Sequence, residues 1–154
     1  MSVRVQHADF DVGAELASLY QGQHEVGAVA SFLGLVRAHN DGEQVSGLAL
    51  EHYPGMTEKS LLAIEQEART RWPLLDVLII HRVGELALGD RIVLVGVSSA
   101  HRGAAFEACE FIMDYLKTRA PFWKREGTAS GSRWVDARDS DNEAATRWDN
   151  GHNA

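Results

Sequence analysis

Two short segments, Val77 to Val83 and Arg91 to Ser99, are rich in β-branched residues and apolar on both faces. A strand with one face in water alternates apolar and polar residues, whereas one without that alternation is covered on both sides. The chain therefore contains interior strands, joined by a turn at Leu88-Gly89-Asp90.

The helices follow from a different period. Leu61, Ile64, Ala68 and Trp72 share one helical face, so the spacing predicts a helix from Thr57, as N-cap, to about Trp72, stopped by Pro73. Ser98-Ser99 offers an N-cap for the longest helix, about Ala100 to Arg119. Its buried stripe is Ala105, Cys109, Ile112 and Leu116, with Phe106 and Met113 alongside, and Pro121 ends it. Val12, Leu16 and Leu19 mark a short helix over Asp11 to Tyr20. Residues 3–7 read as a first strand. Val26 to Val36 and Val45 to Tyr53 read as a long hairpin turning at Asp41-Gly42, with Gly27 and Gly34 marking a bulge or a close backbone approach. Phe122 to Glu126 and Arg133 to Val135 suggest a closing hairpin around Ser130-Gly131. This order, β-α-β-β-α-β-β-α-β-β, predicts one α+β domain over residues 1–138. It has a mixed, mainly antiparallel sheet and two to three helices, and is not doubly wound. Residues 139–154 carry four acids, one arginine and few apolar groups, so they read as an acidic, mobile tail.

Composition removes several function classes. With 154 residues, 45% hydrophobic and 24% charged, the chain is of ordinary globular make-up. No apolar run approaches the ~20 residues of a membrane span, and the N-terminus lacks the apolar core of a signal peptide, so a cytoplasmic protein is expected. A net charge of −7 argues against general nucleic-acid binding. The single cysteine, Cys109, excludes an internal disulfide, and its place on an apolar stripe makes it a buried structural thiol. The histidines show no metal-ligand spacing, so no metal is expected, and there is no phosphate-loop, dinucleotide or nucleophile-elbow motif.

One window departs from the global charge. From Tyr115 to Arg125 the chain holds Lys117, Arg119, Lys124 and Arg125 and no acid. Cations at a helix C-terminus complement its dipole, which accounts for the first two without any function. Lys124 and Arg125 lie beyond Pro121, interleaved with Phe122 and Trp123, and a lysine whose amine is desolvated serves as nucleophile or base near neutral pH. At the other end of the helix, His101 and Arg102 join free backbone N–H groups, a pattern suited to phosphate or carboxylate, unless Arg102 simply pairs with an acid. Arg37 is a third, weaker candidate cation. The residues alone thus point to an anion site rich in Arg and Lys, either in an enzyme or in a non-catalytic module that recognises a phosphorylated small molecule or an acidic peptide tail.

The same residues carry a family resemblance. Phe32-Leu33-Gly34-Leu35-Val36-Arg37, Leu50-Glu51-His52-Tyr53-Pro54-Gly55-Met56, His81-Arg82-Val83-Gly84-Glu85, Ser99-Ala100-His101-Arg102 and Met113 through Glu126 together resemble the large, catalytic subunit of molybdopterin synthase, over about Gly27 to Arg138. The resemblance implies an α/β-hammerhead-like fold and a sulfurtransferase of molybdenum cofactor biosynthesis. Such an enzyme converts cyclic pyranopterin monophosphate into molybdopterin with two sulfurs, needing no resident cofactor. The sulfur donor is the C-terminal glycine thiocarboxylate of a small ubiquitin-like subunit, and a central homodimer of large subunits carries one small subunit at each end of a heterotetramer. By the resemblance Lys117 and Lys124 are catalytic. Leu35, Val36, Arg37, His101, Arg102, Arg125 and Glu126, with the two lysines, hold the substrate.

Overall fold

A computed structural model describes residues 3–40, 43–128, 131–135 and 139–149. In chain order the elements are β1 (Val3–Gln6), α1 (Val12–Ala17), β2 (Ala28–Leu35), β3 (His39–Asn40), β4 (Glu43–His52), α2 (Met56–Arg71), β5 (Leu74–Arg82), β6 (Gly84–Ala87), β7 (Arg91–Ser99), α3 (Arg102–Arg119), β8 (Phe122–Thr128), β9 (Gly131–Val135) and α4 (Asp139–Thr146). The architecture is α+β, and antiparallel pairing dominates.

The two interior strands lie at the centre of the first sheet, ordered β1-β5-β7-β2. β1 runs parallel to β5, and the β5–β7 and β7–β2 pairs are antiparallel. Their doubly apolar pattern has a direct cause. Val77 and Ile79 of β5, with Val93, Val95 and Val97 of β7, face the core shared with α2 and α3, where Leu61, Ile64, Ala68, Phe111 and Ile112 are buried. Leu78, Ile80 and Leu94, on the opposite face, pack on Phe10 and Leu19 and on Val12 and Leu16 of α1. Full burial of one such aliphatic side chain contributes about 1.5–3 kcal/mol, so both faces drive this sheet into the centre.

The second sheet has five strands, in the order β3-β4-β8-β9 with β6 on β4. The expected hairpin over residues 26–53 does not form, because β2 pairs with β7 and β4 pairs with β8 and β6. Both strands alternate, but their long-range partners lie in different sheets, which local pattern does not encode. The two glycines behave as expected. A Cβ on Gly27 would sit 2.1 Å from the Ala100 carbonyl oxygen. At Gly34 a side chain would meet Val93, and the register with β7 shifts at the next residue. The closing hairpin forms as β8 and β9; Ser130, at its expected turn, lies outside the described residues.

Three details differ at helix ends and surfaces. Thr57 is not the cap of α2. Gly55 takes that position, its N–H donating to the Glu58 carboxylate at 2.9 Å, while Thr57 is buried. α3 begins at Arg102 with His101 as N-cap and no side-chain cap, because the Ser99 hydroxyl instead donates to the Pro73 carbonyl. Phe106 is 64% exposed, outside the stripe that Ala105, Cys109, Ile112, Met113 and Leu116 bury.

The largest correction concerns the tail. Of residues 139–154, read as a mobile tail, 139–149 contain a fourth helix, α4, packed on the core, and 150–154 lie outside the described residues. Trp148 is 7% exposed and packs edge-on against Trp72 and Phe111. Its indole N–H donates to Asp114, which Arg147 also contacts, and Asp149 accepts from the Tyr115 hydroxyl and from Arg119. Low apolar content hid one large anchor, a tryptophan, whose class of side chain buries about 150–250 Å².

Candidate functional site

Two elements bring the lysines forward. α3 packs across β7 and β2, starting at the Ser99 end of β7 and running back toward the Arg91 end. Its last turn carries Lys117 and Arg119, where positive charge complements the helix dipole. The helix stops at Ala120, whose backbone is extended (φ −88°, ψ 132°), because a residue before proline is pushed out of the helical region. β8 then starts at Phe122, and Lys124 stands on it opposite Leu50 of β4. Lys117 is exposed and Lys124 half-buried.

Thr57 holds the link between these lysines. Its hydroxyl donates to the Pro121 carbonyl at 2.9 Å and accepts from the Tyr53 N–H at 3.0 Å. The polar bend between α3 and β8 is thus satisfied from the start of α2. A threonine two residues after a turn reads as a cap in sequence, and no local signal reveals this distant bond.

His81, at the end of β5, is buried beneath the same region. Its ring stacks on Phe122, and its Nδ1–H donates to the Arg82 carbonyl at 2.8 Å. Burial first, and then the charges of Lys117, Lys124 and His52, push its pKa down from 6.5 to about 3, against the opposing pull of the Arg82 hydrogen bond. The imidazole is therefore neutral, and both lysine charges converge on it from two different elements.

The remaining predicted residues divide into two groups. β2 ends at Leu35, opposite Arg91. Leu35 is exposed, Val36 is buried with its N–H on the Asp90 carbonyl at 3.0 Å, and the exposed Arg37 follows. His81 pairs with Val93 near this same end of the sheet, so Arg37, Lys117 and Lys124 belong to one end of the molecule. His101 and Arg102 are exposed at the other end, where α3 begins. Fifteen residues of helix separate Arg102 from Lys117, ~22 Å at 1.5 Å per residue. Arg125 and Glu126 continue β8, opposite Ala49 and Leu48; their side chains lie outside the described set.

Other groups are accounted for by structure. Cys109 is a free, buried thiol whose pKa burial, with Glu110 nearby, pushes up to about 11, so it has no thiolate character near neutrality. A hollow of about 550 Å³ beside Asp9, Phe10 and Arg91 lies on the α1 face of the first sheet, away from the lysines, and Asp9 there is already paired with Arg91. Among the described residues no cluster of three His, Cys, Asp or Glu side chains suits a metal, and no helix is long and apolar enough to cross a membrane.

A family model described as MoaE protein matches residues 5–119. The molybdopterin synthase catalytic subunit of Ralstonia nicotianae is 63% identical over 147 residues, covering 96% of this chain and 84% of that protein. The catalytic subunit of Vibrio cholerae is also 63% identical over 147 residues, covering 96% and 97% of the two chains. Among solved structures, the molybdopterin biosynthesis MoaE protein of Burkholderia ambifaria superposes with a TM-score of 0.82 at 53% identity, covering 96% of this chain and 97% of that one. With the family model spanning most of its length and relatives this similar across nearly all of it, the chain belongs to the MoaE family, the catalytic subunits of molybdopterin synthase.

Proposed function

We propose that this chain performs the sulfur-transfer step of molybdopterin synthesis through Lys117 and Lys124. The substrate is cyclic pyranopterin monophosphate, and the donor is the C-terminal glycine thiocarboxylate of a small ubiquitin-like subunit. Both reactants are anionic, and two ammonium groups at one end of the sheet attract both. One lysine engages the pterin while the other polarises the thiocarboxylate carbonyl and moves protons. By the family resemblance Leu35, Val36 and Arg37 help to hold the pterin, and Arg125 and Glu126 are assigned to the substrate wall. The observation that carries this reading is the tying of the α3 end that bears Lys117 to the strand β8 that bears Lys124, through the Thr57–Pro121 hydrogen bond at 2.9 Å and the stack of the buried His81 ring on Phe122.

The separation of Arg102 from Lys117 adds a requirement. A span of ~22 Å along one helix is too long for both ends to grip one pterin. We infer that a second copy of the chain supplies His101 and Arg102 to the lysines of the first, which gives the homodimer a chemical purpose.

A single-turnover assay with the pterin and a thiocarboxylated partner tests the lysines. Lys117→Ala and Lys124→Ala should each abolish product while leaving the thermal midpoint nearly unchanged; retained turnover in either removes that lysine from the chemistry. Lys124→Arg should also fail, since a fixed guanidinium does not release a proton, and full activity there would favour a non-catalytic recognition patch. Mixing Lys124→Ala chains with Arg102→Ala chains tests the shared site. One intact site per mixed dimer, with random exchange, restores about a quarter of parental activity; no recovery means that the lysines and Arg102 act within one chain.

A further inference from the structure

The His81 imidazole occupies a junction that none of the roles above uses. It follows Val77 and Ile79 on one face of β5 and is 4% exposed. Its ring lies on Phe122 with centroids 3.8 Å apart and planes 18° from parallel. β5 belongs to the first sheet and β8 to the second, so this stack fastens the layer beneath α3 to the layer that carries Lys124. Phe122 and Lys124 are two positions apart on one strand and share a face. A carbonyl oxygen only accepts, so the contact with Arg82 fixes the proton on Nδ1 and sets the rotation of the ring. A valine or isoleucine, as at the preceding positions of this face, would fill the site without burying a polar ring.

We propose that His81 is a positioning residue of the two-lysine site, its locked ring holding Phe122 from beneath and thereby setting Lys124 relative to Lys117. This rests on the reading of the lysines given above. The groups that bear on the ring are Lys117 from α3, Lys124 from β8 and His52 from β4, with the Arg82 carbonyl on its own strand. Buried beside Lys117 and Lys124 and cut off from water, the ring stays neutral and adds no third charge to the site across the pH range of the reaction. It serves by the shape of the stacked ring, whose rotation the Arg82 hydrogen bond only sets, and not by carrying a proton.

Two substitutions separate those properties. His81→Phe keeps a ring for the stack; His81→Asn keeps an N–H for the Arg82 carbonyl and loses the ring. Single-turnover rate, pterin affinity and thermal midpoint are measured against pH in the assembled synthase. His81→Phe should stay within about threefold of the parent rate with an unshifted pH profile, whereas His81→Asn should lose about tenfold or more in rate with pterin affinity within twofold. A second readout does not depend on turnover. With lysines reductively methylated with ¹³C, the Lys124 resonance should move in His81→Asn and stay in place in His81→Phe. Phe122→Leu, which removes the stack from the other side, should reproduce the shift if His81→Asn does not fold.

The inference is overturned by a Lys124 resonance indifferent to the stack. It is equally overturned if His81→Phe loses as much rate as His81→Asn, or if the acid limb of the profile vanishes in His81→Phe, which would make His81 a proton carrier. An inactive parent whose Lys124 resonance still follows the stack would sink the sulfur-transfer reading while leaving the positioning role standing.

Discussion

The first sheet is covered on both faces, and its main core draws buried side chains from α2, α3, α4 and the central strands. Among the described residues, the second sheet rests on a cluster of four buried aliphatics, Val36, Leu48, Leu50 and Leu86, with Ile92 bordering both regions. Lys117 is mounted on the thick layer through α3 and Lys124 on the thin one through β8. Counted over the described residues, the strand rests on fewer buried side chains than the helix, and an element with less buried apolar contact opens more readily. The relative placement of the lysines therefore depends on the ties between the layers, the His81–Phe122 stack and the Thr57–Pro121 hydrogen bond.

The contrast breaks most visibly in the deep core. Phe111 touches Trp72, Tyr115 and Trp148, so Phe111→Ala should cost about 3–5 kcal/mol by urea unfolding. Leu50→Ala, in the thin layer, should cost about 2 kcal/mol, near the low end for such truncations. It should nevertheless reduce turnover more than Phe111→Ala does at a temperature where both variants are folded. Equal activities would mean that the second sheet is no softer than the first.

Trp148→Ala sharpens the comparison from the thick side. Loss of the α4 anchor should cost about 3 kcal/mol and raise amide exchange along the last two turns of α3, with little change in β8. An unchanged unfolding midpoint would show that α4 does not brace the helix.

The smallest effect lies far from both cores. The Arg91 side chain, hydrogen-bonded to Asp9, together with the Phe10 N–H, holds the Asp9 carboxyl at about 2, below its ordinary 3.8. A depressed folded-state value means that the pair stabilises the fold above the ordinary value and ceases to do so as pH falls toward 2. The thermal midpoint of the parent should thus exceed that of Asp9→Asn slightly at neutral pH, and the two should converge as the medium is acidified. Asp9 is solvent-exposed, so added salt should shrink the gap.

The parts of the fold legible in sequence are those whose periodicity reports their own surroundings. β5 and β7 are apolar on both faces because both are covered, and α2 and α3 show their buried stripes. What escaped depends on partners distant in the chain. β2 and β4 alternate like a hairpin yet enter different sheets, and β6 is too short to announce itself. α4 is held by one tryptophan and a group of ion pairs. The site divides in the same way. Its cations stand out against an acidic chain, and a long motif names the family. Thr57 and His81 act through Pro121, Arg82 and Phe122, so their roles arise only when the elements meet.

The tryptophans give this molecule a set of internal optical reporters. Trp72 and Trp148 are buried against one another, whereas Trp123, beside Lys124 on β8, is 47% exposed. Emission from the buried pair should lie to the blue and report whether α4 is docked. Emission from Trp123, on the face of β8 opposite Lys124, should lie to the red and be open to collisional quenchers. With Trp134, whose side chain lies outside the described residues, replaced by phenylalanine, docking of α4 and exposure of β8 can be followed in a single unlabelled sample, at two wavelengths.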